Sequence, residues 1–315
     1  MSRAKLAGLI FCNLLWSGAY STSKELMKHY SPMELSLLRY LSAGLPLMLY
    51  CVLTGPERQK QIRRRSYLGA WLRDLQRLDG RLLLVGLLTF FVSPYCQMTG
   101  VHLSRAIDSS LMIALEPLVT IFAACLMLGE RLRAVQFISL GLAVCGAGIL
   151  TDVTWAKLIS FSDPRMVGNS IFLISTLSES AYSTIAKPVL NRRSPVVFLT
   201  VAIWVGIALI FTHNLLVDGP ARLGGIIPLL QRGQWTDWAA ILYLGPGCTL
   251  FAYLFWMIVM IDTPVSIMAV TLYVQPVLGV VWGYFFLGEA VTLSTFLGGV
   301  LLLTAVWLGS RPRRG

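Results

Sequence analysis

AIDSSLMIALEPLVTIFAACLMLGE, residues 106–130, returns 159 positions later as VSIMAVTLYVQPVLGVVWGYFFLGE, residues 265–289. Pro117, Leu128, Gly129 and Glu130 become Pro276, Leu287, Gly288 and Glu289, and both copies lead into another apolar run of helical length. A fixed internal period marks one supersecondary unit used more than once. Two further matches extend it. Ala19-Tyr20-Ser21-Thr22 recurs 162 positions on as Ala181-Tyr182-Ser183-Thr184, with Ser175 and Glu179 in the places of Asn13 and Ser17. Pro94 and Cys96 recur 152 positions on as Pro246 and Cys248. The matches come in chain order, so residues 1–151 and 168–309 are read as twin halves. The segment 152–167 is a linker outside the membrane, and residues 310–315 form a basic tail.

The chain is 56% hydrophobic and 13% charged, with a mean hydropathy of +0.70, too apolar for a soluble domain of 315 residues. Apolar runs fall at 6–23, 33–53, 82–103, 107–128, 132–151, 168–187, 195–217, 238–261, 264–287 and 290–309. Each is long enough to cross a ~30 Å hydrocarbon layer as a helix rising ~1.5 Å per residue. The fold expected is therefore an all-α polytopic membrane protein: ten transmembrane helices in two inverted five-helix repeats around a central cavity. Inversion follows because five is odd, so the second half enters the membrane from the opposite side.

The net charge of +11 is explained by topology, without nucleic acid. With ten spans, one side collects Arg3, Lys5, the eight Lys and Arg of residues 58–81, Arg131, Arg133, Lys187, Arg192, Arg193, Arg311, Arg313 and Arg314. The other side holds only Lys24, Lys28, Arg105, Lys157, Arg165, Arg222 and Arg232. The positive-inside rule then places both termini in the cytoplasm of a bacterial inner membrane. Within the basic loop 55–81, Leu68, Trp71, Leu72, Leu75 and Leu78 keep helical spacing, which suits a surface helix among anionic headgroups. The six cysteines lie inside apolar runs and read as packing residues; no disulfide, metal or cofactor is expected.

Polar groups inside the spans mark the expected solute path, because an ionisable group at membrane depth costs at least ~2.5 kcal/mol unless it faces a cavity or a partner. Asn13, Trp16, Ser17, Tyr20 and Lys24 share one face of the first span. Glu116 and Gln275 stand directly before the repeated prolines Pro117 and Pro276, and Glu179 lies mid-way along the sixth span. Substrate contacts are expected from Asn13, Trp16, Tyr20, Tyr95, Gln97, Glu116, Glu179, Tyr182, Tyr253, Tyr273 and Gln275. The aromatic members, with Trp256, could wall an apolar or cationic solute. An alternative use of the two acids is pairing with Arg39 as helix glue. Pro94 and Pro246 are expected to kink their helices at matching positions, and Glu130 and Glu289 to cap the helix that follows each.

The five-plus-five inverted repeat, the Pro-x11-Gly-Glu ending of the fourth helix in each half and an Arg in the second helix after a Pro resemble the EamA family of the drug/metabolite transporter superfamily. The resemblance covers nearly the whole chain. It implies an exporter of amino acids, related metabolites or cationic drugs, with a cavity walled by the first four helices of each half. The matching positions are Arg39, Pro117 with Gly129-Glu130, and Pro276 with Gly288-Glu289. Glu116 and the long basic loop are individual features. The expected function is secondary active export of a small organic metabolite by alternating access, open to proton coupling, by a chain acting as a monomer. A nucleotide-sugar carrier or flippase is the alternative within the superfamily, a channel or an intramembrane enzyme outside it. His29, His102 and His213 lack metal-ligand spacing, and no nucleophilic triad or phosphate loop stands out.

Overall fold

The computed structural model describes residues 2–59, 80–116, 163–190, 194–219, 234–263 and 270–309, with 119, 268 and scattered helical positions from 135 to 149. Every regular element among them is helical. The helices are α1 (Arg3–Leu26), α2 (Pro32–Gln59), α3 (Gly80–Leu103), α4 (Ala106–Met112, continued by a tight turn at Ile113–Leu115), α5 (Pro164–Leu190), α6 (Pro195–His213), α7 (Trp235–Asp262), α8 (Val274–Leu287) and α9 (Leu293–Gly309). Pro117, Glu130, the centre of the basic loop and the tail lie outside the described residues, as does most of the linker. The sixth span, expected from residue 168, already begins at Pro164, where the Asp163 carboxylate accepts the Arg165 N–H.

Among the described residues four helices are long and apolar enough to cross a membrane: Pro32–Leu53, Gly80–Leu103, Pro195–Val217 and Trp235–Asp262. α1 and α5 are as long, 24 and 27 residues, but each carries a polar stripe. Local signals set the boundaries. α2 opens with a reciprocal cap in which the Ser31 hydroxyl accepts the Glu34 N–H and the Glu34 carboxylate accepts the Ser31 N–H, with Pro32 in the first turn. α8 stops at Gly288, whose φ of +64 is the left-handed cap that only glycine adopts without strain.

Helix contacts interleave the two halves in matching pairs. α1 packs on α7 and α8, while α5 packs on α3 and α4; α2 meets α7, and α6 meets α3. Glycines permit the closest crossings. A Cβ at Gly86 would run into Val205 and the Ala202 carbonyl, and one at Gly245 into Ser42 and the Arg39 carbonyl. These two sites are 159 positions apart, the period of the 106–130 repeat.

That pairing corrects the register of the third and eighth spans. Wide, π-type turns interrupt α3 at Leu88–Val92 and α7 at Tyr243–Phe251; shifted by 159 the first falls wholly inside the second, whereas shifted by 152 it only touches its first two residues. Pro246 sits inside its wide turn, whereas Pro94 begins the regular helix after the first one. The two prolines are thus not structural mates. The match at 152 paired like residues on different turns.

Both ends of the bundle are stitched by twin lysines. Lys24 Nζ donates to the carbonyls of Val101, at 2.7 Å, His102, at 3.1 Å, and Ser104, closing the C-terminus of α3. At the opposite end Lys187 Nζ donates to the Thr263 carbonyl at 3.0 Å, just past α7. A cation at a helix C-terminus satisfies unpaired carbonyls and the negative dipole end together.

Candidate functional site

Midway between these lysine-capped ends, α1 and α5 face each other across a cavity of about 60 Å³. Trp16, Ala19 and Tyr20 come from α1; Glu179, Tyr182 and Ser183 from α5. The remaining wall is Arg39 of α2, Gln97 of α3, Ile113 and Glu116 after α4, Tyr253 and Trp256 of α7, Leu272, and Gln275 of α8. Spacings of three and four residues put the contributions of α1 and α5 on one face each.

Several of the polar groups are held from another helix. Glu179 accepts hydrogen bonds from Ser93 Oγ at 2.9 Å and from the Tyr253 hydroxyl. Arg39 is 7% exposed; its Nε–H donates to Thr249 Oγ1 at 2.8 Å and its guanidinium lies 5.7 Å from the Tyr40 ring centre. The Nε of Arg39 is thus taken by a threonine hydroxyl, with its charge also acting on Glu179 across the cavity. Thr249 in turn donates to the Leu244 carbonyl five residues back, a bond the wide turn makes available. The same turn frees the Cys248 carbonyl, which accepts Trp16 Nε1–H at 2.8 Å. A proline inside a buried helix is tolerated where such partners take up the loosened backbone.

Four of the aromatic lining residues form one cluster. The Trp16 ring centre lies 5.5 Å from both Tyr253 and Trp256, Tyr182 lies 5.9 Å from Tyr253, and Tyr20 meets Phe172 edge-on at 5.6 Å. Among the described lining residues two carboxyl groups stand beside one guanidinium, so an excess of negative charge arises there when both acids are ionised. Aromatic faces around such an excess suit an ammonium group.

Several residues expected at the site are placed elsewhere. Asn13 is fully buried one turn below Trp16, where Nδ2–H donates to Thr271 Oγ1 at 2.9 Å and Oδ1 accepts Gln275 Nε2–H at 2.8 Å, so it positions Gln275 and does not line the cavity. Tyr95 is 38% exposed and packs on His213 at 5.2 Å, because two residues along a helix turn it about 200° from Gln97. The Tyr273 side chain is outside the described residues. Glu289 caps a helix, but not the one that follows it: its carboxylate accepts the N–H groups of Ala106 and Ile107, both at 2.9 Å, at the start of α4 in the other half. Ile113 and Leu272 line the cavity without any signal of their own, being apolar residues like many others in the spans, while Ala19 and Ser183 come from the repeated Ala-Tyr-Ser-Thr stretch.

A family model described as the EamA-like transporter family matches residues 5–151 and again residues 166–311. A transporter of Archaeoglobus fulgidus, described as uncharacterized, is 24% identical over 95% of both chains. A protein of Escherichia coli K12 named a probable amino-acid metabolite efflux pump is 23% identical over 64% of this chain and 66% of its own. A solved crystal structure shares the fold, with a TM-score of 0.60 and 18% identity over 98% of this chain and 96% of that one.

Proposed function

We propose, from the premise that the chain belongs to the EamA-like transporter family, that it exports amino acids or closely related amine-bearing metabolites across the bacterial inner membrane. It is a membrane transporter and not an enzyme. Ten spans in two inverted halves, with both termini cytoplasmic, are the topology this reading takes; the two family matches and the paired helix contacts support it. The observation that carries the substrate reading is the cavity itself, with two carboxylates and one engaged guanidinium inside an aromatic wall.

A cavity of about 60 Å³ has room for a few waters, whereas organic ligands occupy sites of roughly 300 Å³ or more. Loading therefore requires the halves to part, first on one side and then on the other, which is alternating access. A substrate ammonium or a proton can neutralise the excess negative charge, so proton coupling fits the same site. A phosphate-bearing substrate fits it poorly. Arg39 is its single cation among the described residues, and Lys24 and Lys187 are committed to backbone carbonyls.

The test compares metabolite pools inside and outside cells with and without the protein, repeated for Glu116→Gln and Glu179→Gln. Export should fall at least about tenfold in Glu179→Gln, the loss of roughly 1.4 kcal/mol of binding. Unchanged export in both variants would reject the acidic site.

A further inference from the structure

We propose that Asp108 is the latch of the external gate. Asp108 sits in the first turn of α4 and is fully buried, yet it is surrounded by donors from both halves. Arg105 donates to Oδ1 at 2.8 Å and Arg165, at the start of α5, to Oδ2 at 2.6 Å. Asn169 Nδ2–H and the Ser104 hydroxyl each lie 3.3 Å from Oδ2. Arg105 also reaches the Ala290 carbonyl at 3.0 Å and Thr295 Oγ1 at 2.7 Å, so one network joins α3, α4, α5 and α9. Glu289 and Lys24 hold the backbone on either side of it.

These contacts cross between the halves at the end where the halves must separate for release outside. The arginine side chains are 23% and 22% exposed while Asp108 is 0% exposed. When the gate parts, the arginines are already at water and the carboxylate gains it, so the bonds can exchange for hydration without stranding a charge. The repeat supplies the internal comparison. The residue 159 positions after Asp108 in the sequence is the uncharged Ile267. The described polar contacts there are the Lys187 bond to the Thr263 carbonyl and a Lys5–Asp262 ion pair whose side chains are 35% and 63% exposed. Exposed pairs of that kind contribute little. Among the described contacts the external end is the more firmly held, which suits a protein that loads from inside.

The inference rests on the alternating-access reading above, but its test needs no substrate. In the full-length chain with its native cysteines replaced, Ser109→Cys, buried beside the latch, reports external opening through the rate of modification by a membrane-impermeant thiol reagent added outside. Met268→Cys, also buried, reports the cytoplasmic end from inside-out vesicles. Adding Asp108→Asn should speed modification of the external reporter by about tenfold and leave the cytoplasmic reporter unchanged or slower. Arg165→Gln, which leaves Arg105 on Asp108, should give a smaller increase of the same sign, and it carries the test if Asp108→Asn does not fold. Equal acceleration at both reporters would mean general loosening, and unchanged rates in folded variants would mean packing alone; either result overturns the latch. The expected labelling rates in a wild-type protein that shows no amino-acid flux would count against the proposed substrate alone and leave the latch standing.

Discussion

Glu289 shows what one side chain at a helix end can do. The Gly288 turn releases α8 and points the following carboxylate at two N–H groups of α4. A lost N-terminal cap costs about 0.5–2 kcal/mol, with a charge–dipole contribution of similar size. Glu289→Ala should lower the unfolding temperature of the detergent-solubilised protein by a few degrees, and Glu289→Gln by less; identical melting of all three would contradict the cap. At this scale the sequence was informative wherever chemistry was out of place. Glu116, Glu179, Arg39 and Gln97 are too polar for lipid, and the cavity gathers all four. Asp108 was not legible, since a charge at a membrane edge is ordinary and only coordinates bring Arg105 and Arg165 onto it. The target of Glu289 was equally hidden, because nothing in a linear reading says which helix N-terminus a loop carboxylate will find.

The wide turn of α7 is the element on which the site depends. It presents the Cys248 carbonyl to Trp16 and the Thr249 hydroxyl to Arg39, while Gly245 lets α2 approach its backbone. Gly245→Ala would drive a methyl into the Arg39 carbonyl and Ser42, and should destabilise by about 1–3 kcal/mol as overpacking does. Gly247→Ala, whose nearest neighbour is the Leu242 carbonyl at 3.9 Å, should be tolerated. Thermal melting of the two variants checks the contrast, and equal losses would contradict it. The positions of α3 and α7 in the sequence were readable from their apolar runs, but their internal register was not. A wide turn inserts a residue without any compositional mark, and matched prolines drew the eye to a shift of 152 where the packing follows 159.

At the scale of the molecule, the duplicated sequence and the interleaved contacts describe two similar halves wrapped around one small polar chamber. The helices that carry the chamber, α1 and α5, are the two long described helices outside the four most apolar ones. Their polar stripes are the trade of lipid solubility for a solute path. The measurement that bears most directly on this is uptake of a labelled amino acid into proteoliposomes holding the purified protein. A two-half carrier predicts flux that saturates with concentration, is competed by unlabelled amines and collapses in Glu179→Gln. Flux that rises linearly without competition, or that is indifferent to Glu179, would contradict it.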